Sequence, residues 1–383
     1  MNQRYRIPPE MELLLLCILP EISVEAKERI LEITQGPVNW AVLLELASWH
    51  NLTPLLHWNR ATMNWPCPPA VADRLRETFT ANSLRNLFLT GELAKLIRQF
   101  EECRIPVIAY KGPLLATYYG NSGLRQFEDL DLLISKGDLA QVDRMLRAAG
   151  FQASEQRLAF ARTFDFELTY ETEDQTVCVD LHWSLMPRFF HLPSEAGIWR
   201  RAITARLAGS CIRTLEAEDS LLLLCAHGTK HIWESLGWIC DVARAVQAHP
   251  DLDWDALFQR AADLRMVRAL SLGLLLAIEL LQLQIPEPFR ATITADPKVQ
   301  HLADTVYRQL FEDRSAYWGA TASSRFLMRS RDNAASAIRC GVERIFRPTK
   351  AEWRSIRLPR GLFPLYYLIR LLRLVSKHGG RIA

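Results

Sequence analysis

Two aspartates interrupt a short apolar segment, Asp129-Leu-Asp131-Leu-Leu-Ile134. Side chains at positions i and i+2 of a β-strand point to the same side, so the carboxylates of Asp129 and Asp131 are expected to lie next to each other. Two like charges among apolar residues are costly unless a cation compensates them. Mg²⁺ binds carboxylate and phosphate oxygens together. With Asp180 as a third acid on a neighbouring predicted strand, the pattern predicts a two-metal site for in-line attack on a phosphate.

A lysine and a glycine, Lys111-Gly112, follow the predicted strand 105–110 and precede a predicted helix over 112–119. Glycine allows the backbone to come close to a ligand, and the N–H groups of a first helical turn bind phosphate oxygens. The lysine adds a positive charge that attracts phosphate. We therefore expect Lys111 and Gly112 to face a triphosphate.

The order of these motifs, Lys-Gly, then Arg-x3-Asp-x-Asp, then Asp180-Leu-His182-Trp183, resembles the DNA polymerase β-like nucleotidyltransferase superfamily. It is most similar to that superfamily's poorly characterised bacterial family of stand-alone nucleotidyltransferases. The core resemblance covers about residues 103–185, and similar helical segments extend it to about residue 245. Many superfamily members carry Gly-Gly or Gly-Ser at the turn, whereas here Lys111-Gly112 precedes a proline. The resemblance implies an α+β fold with a small mixed sheet, flanked by helical regions.

The resemblance also implies roles for individual residues. Asp129 and Asp131 would hold two Mg²⁺ ions, with Mn²⁺ as a substitute, and Asp180 would be the third carboxylate. Either Asp180 or a metal-bound oxygen would be the general base. Arg125 would meet the nucleotide or the leaving pyrophosphate, beside Lys111 and Gly112 at the triphosphate. Lys230 and His231, from the helical region, either reach the nucleotide or acceptor or form an interfacial pair.

Several other acidic and histidine residues have more than one possible role. Asp165 and Glu167, on the strand expected to pair with that of Asp180, are alternatives for the third carboxylate or belong to the polar face of a hairpin. His182 either contacts a base or lies in the core. His227 and His231 have a spacing that suits zinc, but Gly228 stands where the peptidase motif requires glutamate.

The reaction implied by the resemblance is Mg²⁺-dependent transfer of a nucleoside monophosphate from an NTP, preferably ATP, to an acceptor hydroxyl, with release of pyrophosphate. A small molecule, a peptide or protein, and a tRNA are the alternatives for the acceptor. A second hypothesis is a non-catalytic nucleotide-binding sensor or scaffold that retains the fold. The presence of all three acids argues against it, because a binding module needs no metal clamp.

The periodicity of apolar residues predicts the elements that position these groups. Four or five helices are expected before Arg104, and a hairpin is expected from segments 164–172 and 176–183. Helices return after Glu216. The predicted regions are an N-terminal helical region (1–102), a nucleotidyltransferase core (103–215), a helical domain (216–330) and a basic C-terminal helical tail (331–383).

The charge is distributed unevenly along the 383 residues, although the formal net charge is only +3. From Arg344 onwards ten basic residues accompany one acid, so this segment carries +9 and the remainder −6. Within it, a predicted helix over 362–375 carries Arg370 and Arg373 among apolar residues. We expect this helix to dock on the body, with peripheral membrane contact as the alternative.

Composition places the chain among globular proteins, with 49% apolar and 23% charged residues. Its longest apolar runs are shorter than the roughly 18 to 20 residues that span a bilayer, and no signal peptide is expected. The eight cysteines form no CxxC pair, which favours buried, reduced thiols over disulfides or zinc ligands. We therefore expect a cytoplasmic protein.

Overall fold

The computed structural model describes residues 7–19, 22–187, 195–311 and 320–379. Within these ranges the chain is a mixed α+β structure in which helices flank a small mixed sheet, as the sequence predicts. No described helix is both long and apolar enough to cross a membrane. Arg381 of the basic segment lies outside the described residues.

Five helices precede the sheet. The Ser23 and Asn39 side chains cap two of them by accepting hydrogen bonds from the backbone N–H groups of Ala26 and Val42. Pro69 begins the longest helix, at a position where its missing N–H leaves no bond unmade. The helices are α1 (Pro9–Cys17), α2 (Val24–Gln35), α3 (Trp40–Trp49), α4 (Thr53–Met63) and α5 (Pro69–Glu102).

A mixed sheet carries the acidic motif. Its strands and the helices between them are β1 (Ile108–Tyr110), α6 (Gly112–Ala116), β2 (Asp129–Leu133), α7 (Leu139–Ala148), β3 (Phe151–Gln152), α8 (Glu155–Phe164), β4 (Glu167–Thr172) and β5 (Cys178–His182). The strand order is β1-β2-β5-β4-β3, with β2 and β5 parallel and the other neighbours antiparallel. In this register Asp131 lies opposite Asp180. The two acidic segments are thereby adjacent strands.

The predicted hairpin is present as β4 and β5, but its first strand begins later than the sequence analysis expected. Residues up to Phe164 form α8, and Asp165 follows this helix instead of lying in the strand. The backbone N–H of Asp165 still donates to the carbonyl of Ala161. Helix α8 was not predicted because its partners are distant in sequence: Phe160 and Phe164 pack against Tyr366.

Helices follow a second short hairpin. The elements are α9 (Glu195–Arg201), β6 (Ile203–Leu207), β7 (Ser210–Thr214), α10 (Ala217–Lys230), α11 (Leu236–Ala248), α12 (Trp254–Asp263), α13 (Val267–Leu281), α14 (Glu287–Ala295) and α15 (Pro297–Phe311). Helix α13 is buried along most of its length and packs against α10 and α11. Gly228 and Gly273 leave room for the fully buried ring of Trp233, since a Cβ at Gly228 would lie 2.6 Å from that ring.

The basic C-terminal segment packs on the body, as expected. The last helices of the described chain are α16 (Ala320–Arg329), α17 (Ala334–Phe346), α18 (Lys350–Ser355) and α19 (Leu365–Gly379), and the basic segment begins within α17. Tyr366 is fully buried against α8, while Arg370 and Arg373 donate hydrogen bonds to the buried carboxylate of Glu352. The outer side of α19 leaves apolar side chains such as Leu372 exposed. Membrane contact through this helix stays a prediction.

The cysteines are all free thiols. Four of them are buried, among them Cys225 and Cys240 of α10 and α11. Cys103 and Cys211 are exposed, so the prediction of burial is wrong for these two. Cys103 follows the end of α5, and Cys211 alternates with the buried Ile212 along β7, which places their side chains outside the core.

Candidate functional site

The three predicted acids lie together on one face of the sheet. Asp129 and Asp131 are two residues apart on β2, and Asp180 lies opposite Asp131 on the parallel strand β5. Asp131 is buried with 5% of its surface exposed, and the other two are half-buried. Burial, followed by the nearby carboxylates of Asp131 and Asp180, raises the pKa of Asp129 to about 6. The face therefore carries negative charge that its neighbours do not fully balance.

Lys111 and His182 surround the Asp131 carboxylate. The Lys111 Nζ lies 3.3 Å from Asp131 Oδ1, and the His182 Nε2 lies 3.2 Å from the same oxygen. Burial by itself would raise the pKa of Asp131, but Lys111 and then His182 lower it to about 2. Asp131 is thus an anion held by a cation and a histidine at neutral pH.

The turn between β1 and α6 brings its backbone close to β2. Lys111 and Gly112 have φ angles of +54° and +41°, in the left-handed region that favours glycine. A Cβ on Gly112 would lie 3.1 Å from the backbone oxygen of Asp129. Helix α6 spans five residues, so the charge at this turn comes mainly from the lysine. The strained conformation of Lys111 costs free energy, which is common where a side chain is held for function.

Arg125 joins the core to α11. Its Nε and Nη2 donate to the two carboxylate oxygens of Asp241, at 2.8 Å and 3.0 Å, and Tyr119 donates its hydroxyl proton to the same group at 2.7 Å. Arg125 Nη1 lies 3.5 Å from the carbonyl oxygen of Gly112. Arg125 therefore braces the turn, and its predicted contact with a nucleotide stays a prediction.

Lys230 and His231 lie at the end of α10. Lys230 Nζ lies 5.5 Å from the centre of the Phe166 ring, and burial lowers the pKa of Lys230. His231 packs against the rings of His227 and Trp238. Burial and then the charge of Lys230 lower the pKa of His231 to about 4, so its ring is neutral near pH 7. Whether they contact a nucleotide or an acceptor stays a prediction.

Glu167 and Asp165 differ in their relation to the acids. The register places Thr169, two residues after Glu167, opposite Asp180, so Glu167 is on the acidic face. Its Oε2 lies 3.7 Å from His182 Nδ1. Asp165 lies before β4, at the end of α8, and its Oδ1 is 3.9 Å from Arg347 Nη2. The neighbour of Asp131 in the register is Asp180.

His182 is the contact that the sequence analysis did not assign. Its two ring nitrogens lie near Asp131 and Glu167, so it connects the acids of β2 to the start of β4. The signal was present in the sequence: His182 is two residues after Asp180, and strand alternation puts both on one face. The contact with Glu167 follows from the register of the hairpin, in which Glu167 lies opposite His182.

The donor set suits a hard divalent cation. Across the described ranges, no group of three or more His, Cys, Asp or Glu side chains is drawn together closely enough to enclose a metal ion. The oxygens of Asp129, Asp131 and Asp180 are nevertheless of the type that Mg²⁺ prefers. The raised pKa of Asp129 marks the negative charge that such a cation would neutralise. By donor chemistry and charge, the residues fit magnesium.

Comparisons with known proteins match the part of the chain that contains the sheet and its acidic residues. A model of the family described as "uncharacterised nucleotidyltransferase" matches residues 36–282, more than half of the chain. Among solved structures, the chain is similar to an antigenic nucleotidyltransferase-like protein from Paracoccidioides brasiliensis, with 16% sequence identity and a TM-score of 0.34. That similarity covers 51% of this chain and 93% of the other. No curated protein sequence matched the chain.

Proposed function

The chain belongs to this family of nucleotidyltransferases and is therefore a transferase, and from that premise we propose which reaction it performs. It transfers a nucleoside monophosphate from an NTP, preferably ATP, to a hydroxyl group of an acceptor and releases pyrophosphate. The observation that carries this proposal is the register of β2 and β5, which sets Asp131 beside Asp180. Asp129 lies next to the strained Lys111-Gly112 turn.

Asp129, Asp131 and Asp180 would hold two Mg²⁺ ions, for which Mn²⁺ is a substitute. When bound, these ions supply positive charge to the phosphates of the NTP and to the oxygens of the reacting bond. Asp131 is prepared for this role, because Lys111 and His182 keep it ionised. Asp129 with its raised pKa gains most from a nearby cation, which would stabilise its carboxylate form.

The turn and its lysine position the nucleotide. Lys111 supplies a positive charge beside Asp131, and Gly112 lets the phosphates approach the backbone without meeting a side chain. Arg125 holds this turn through the Gly112 carbonyl while Asp241 fixes its guanidinium. Asp241 thus connects α11 to the phosphate-binding turn.

In the reaction, the oxygen of the acceptor hydroxyl forms a bond to the α-phosphorus of the NTP. The bond from that phosphorus to the oxygen bridging to the β-phosphate breaks, and pyrophosphate leaves with the electron pair. Asp180 takes the hydroxyl proton. Asp180 suits this role because it is a half-buried carboxylate on the same face as the other two acids.

The test compares Asp129→Asn and Asp180→Asn with the native protein. Each is incubated with α-labelled NTPs, Mg²⁺ or Mn²⁺ and a cell lysate, and labelled products are identified. Both substitutions should abolish label transfer while the circular dichroism spectrum stays unchanged. Glu173→Gln, which removes an exposed carboxylate from the turn between β4 and β5, is the matched control and should transfer normally.

Two outcomes would contradict the proposal. Normal transfer by Asp129→Asn would mean that the acidic residues do not take part in the reaction. Tight NTP binding by the native protein, without pyrophosphate release for any acceptor, would support the non-catalytic sensor instead. Titration calorimetry with each NTP, run beside a pyrophosphate-release assay, separates these outcomes.

A further inference from the structure

A cavity of about 1180 Å³ opens beside the candidate site, between the sheet and the C-terminal helices α17 to α19. Glu167 and Lys230 line it, and so does Arg354 of α18. Glu167 lies 3.7 Å from His182, whose other nitrogen lies 3.2 Å from Asp131. The cavity therefore begins one side chain away from the acids. Its volume exceeds the roughly 300 to 1,000 Å³ of common small-molecule pockets.

The lining of this cavity is basic. Among the described residues, seven cationic side chains line it, against the three carboxylates of Asp165, Glu167 and Glu343. Six of the seven belong to the segment that begins at Arg344. A ligand that enters this cavity meets an excess of positive charge, so the charge favours an anion.

Several of these cations have an N–H group with no carboxylate within hydrogen-bond distance. Arg344 Nε donates to the hydroxyl of Ser324, and burial together with the nearby charge of Arg370 lowers the pKa of Arg344. The closest approach of Lys350 to Glu167 is 3.8 Å, longer than a hydrogen bond. Arg370 Nε is buried without a hydrogen-bond partner. The wall thus has donors and positive charge to offer to a ligand.

We infer that this cavity is the acceptor site and that the acceptor carries phosphate. The inference rests on the proposed function, which assigns the phosphates of the NTP to the turn at Lys111 and leaves this cavity for the second substrate. A phosphate group brings three terminal oxygens and close to two negative charges, which suits several guanidinium donors better than one carboxylate does. The basic C-terminal segment then forms a wall of the substrate site.

The site is tested first by titrating the full chain with inorganic pyrophosphate, with neither NTP nor divalent cation present. The double variant Lys350→Gln/Arg354→Gln removes two exposed cations of the cavity. Its affinity should fall about tenfold or more, since charged hydrogen bonds are lost. The matched control Arg357→Gln/Arg360→Gln removes the same charge from the same segment outside the cavity and should change affinity less than about threefold.

The titration overturns the inference if both double variants weaken binding equally, because general attraction to the basic segment then explains it. It is also overturned if Lys111→Gln abolishes binding while the cavity variant leaves it unchanged, because the pyrophosphate then binds at the turn. Neither result depends on nucleotidyl transfer. The titration therefore shows whether the cavity binds phosphate groups even if the proposed reaction is wrong.

The phosphate on the acceptor is tested in the transfer assay. Separate portions of the lysate are treated with immobilised phosphatase or immobilised nuclease, and the enzymes are removed before labelled NTP is added. Loss of labelling after phosphatase indicates a phosphomonoester, and loss after nuclease indicates a nucleic acid; either supports the inference. Full labelling after both treatments overturns it. Absence of labelling in untreated lysate counts against the proposed function. The titration then tests by itself whether the cavity binds phosphate groups.

Discussion

Glu352 links helices α18 and α19, and the pKa of its carboxyl group gives the free energy that these contacts contribute. Its side chain is 0% exposed, and Oε1 accepts hydrogen bonds from Arg370 and Arg373 at 3.1 Å and 2.8 Å. Oε2 accepts from the backbone N–H of Thr349 at 2.8 Å. Burial opposes ionisation, but the bonds from Thr349 and the two arginines lower the pKa of Glu352 from 4.5 to about 2. At about 1.4 kcal/mol per pKa unit, this fall corresponds to roughly 3 kcal/mol.

Glu352→Gln keeps the shape of the side chain and removes its charge. Arg370 and Arg373 then lose their shared carboxylate. Since the bonds from Thr349 belong to α18 and only those from the two arginines reach α19, α19 should detach locally roughly tenfold more often, the equivalent of about 1.4 kcal/mol. Hydrogen exchange of the amides in residues 365–379 measures this opening. Glu343→Gln, on α17 of the same cavity, is the control. Its pair with the half-exposed Arg339 should contribute less than about 1 kcal/mol.

The same carboxylate makes the docking depend on pH. Because folding lowers the pKa of Glu352, its contribution is complete above about 4.5 and is lost as the pH falls towards about 2. In the native protein, exchange in 365–379, corrected for intrinsic rates, should accelerate over that window, and Glu352→Gln should lack this component. Equal protection in native and variant protein at neutral pH, or an identical pH dependence, would mean that Glu352 does not hold α19 in place.

Two further predictions concern the turn and its brace. Gly112→Ala should lower the free energy of unfolding by about 1 to 2 kcal/mol and reduce label transfer, because a side chain at φ +41° is strained and meets the β2 backbone. Gly361→Ala, where a Cβ meets nothing within 4 Å, is its control in urea denaturation. Arg125→Gln leaves Asp241 with an unpaired charge and should cost about 3 to 5 kcal/mol. The double variant with Asp241→Asn should cost less than the sum of the two single losses, whereas additive losses would mean that the pair is not coupled.

The acidic face was predictable because it depends on local patterns. Strand alternation alone puts Asp129 and Asp131 on one side, and the same rule applies to Asp180 and His182. The turn at Gly112 follows from glycine chemistry at the end of a short strand. The parallel pairing of β2 with β5 does not follow from alternation; the motif order and the resemblance to a known superfamily implied only a neighbouring strand in a small mixed sheet.

Contacts between distant segments were not predictable. Arg125 pairs with Asp241, which is 116 residues away, so a nucleotide contact was the more natural expectation for an arginine beside the acidic motif. The rings of α8 are covered by Tyr366, and without that partner the segment shows no clear helical face. In each case a local pattern identified the residue type, and only the packed chain identified its partner.

The fold places the acidic motif and the basic C-terminal segment near each other. The cations of the C-terminal segment line a cavity with Glu167, and His182 connects Glu167 to the acids of β2 and β5, which lie outside that lining. A phosphate-bearing molecule is attracted by the cations of the cavity, whereas the acids beyond it repel phosphate until a divalent cation neutralises them. If both substrates carry phosphate, as we propose, the basic wall can hold the acceptor without a metal, whereas the NTP needs one. Divalent cations should therefore strengthen binding of the NTP far more than binding of pyrophosphate to the cavity.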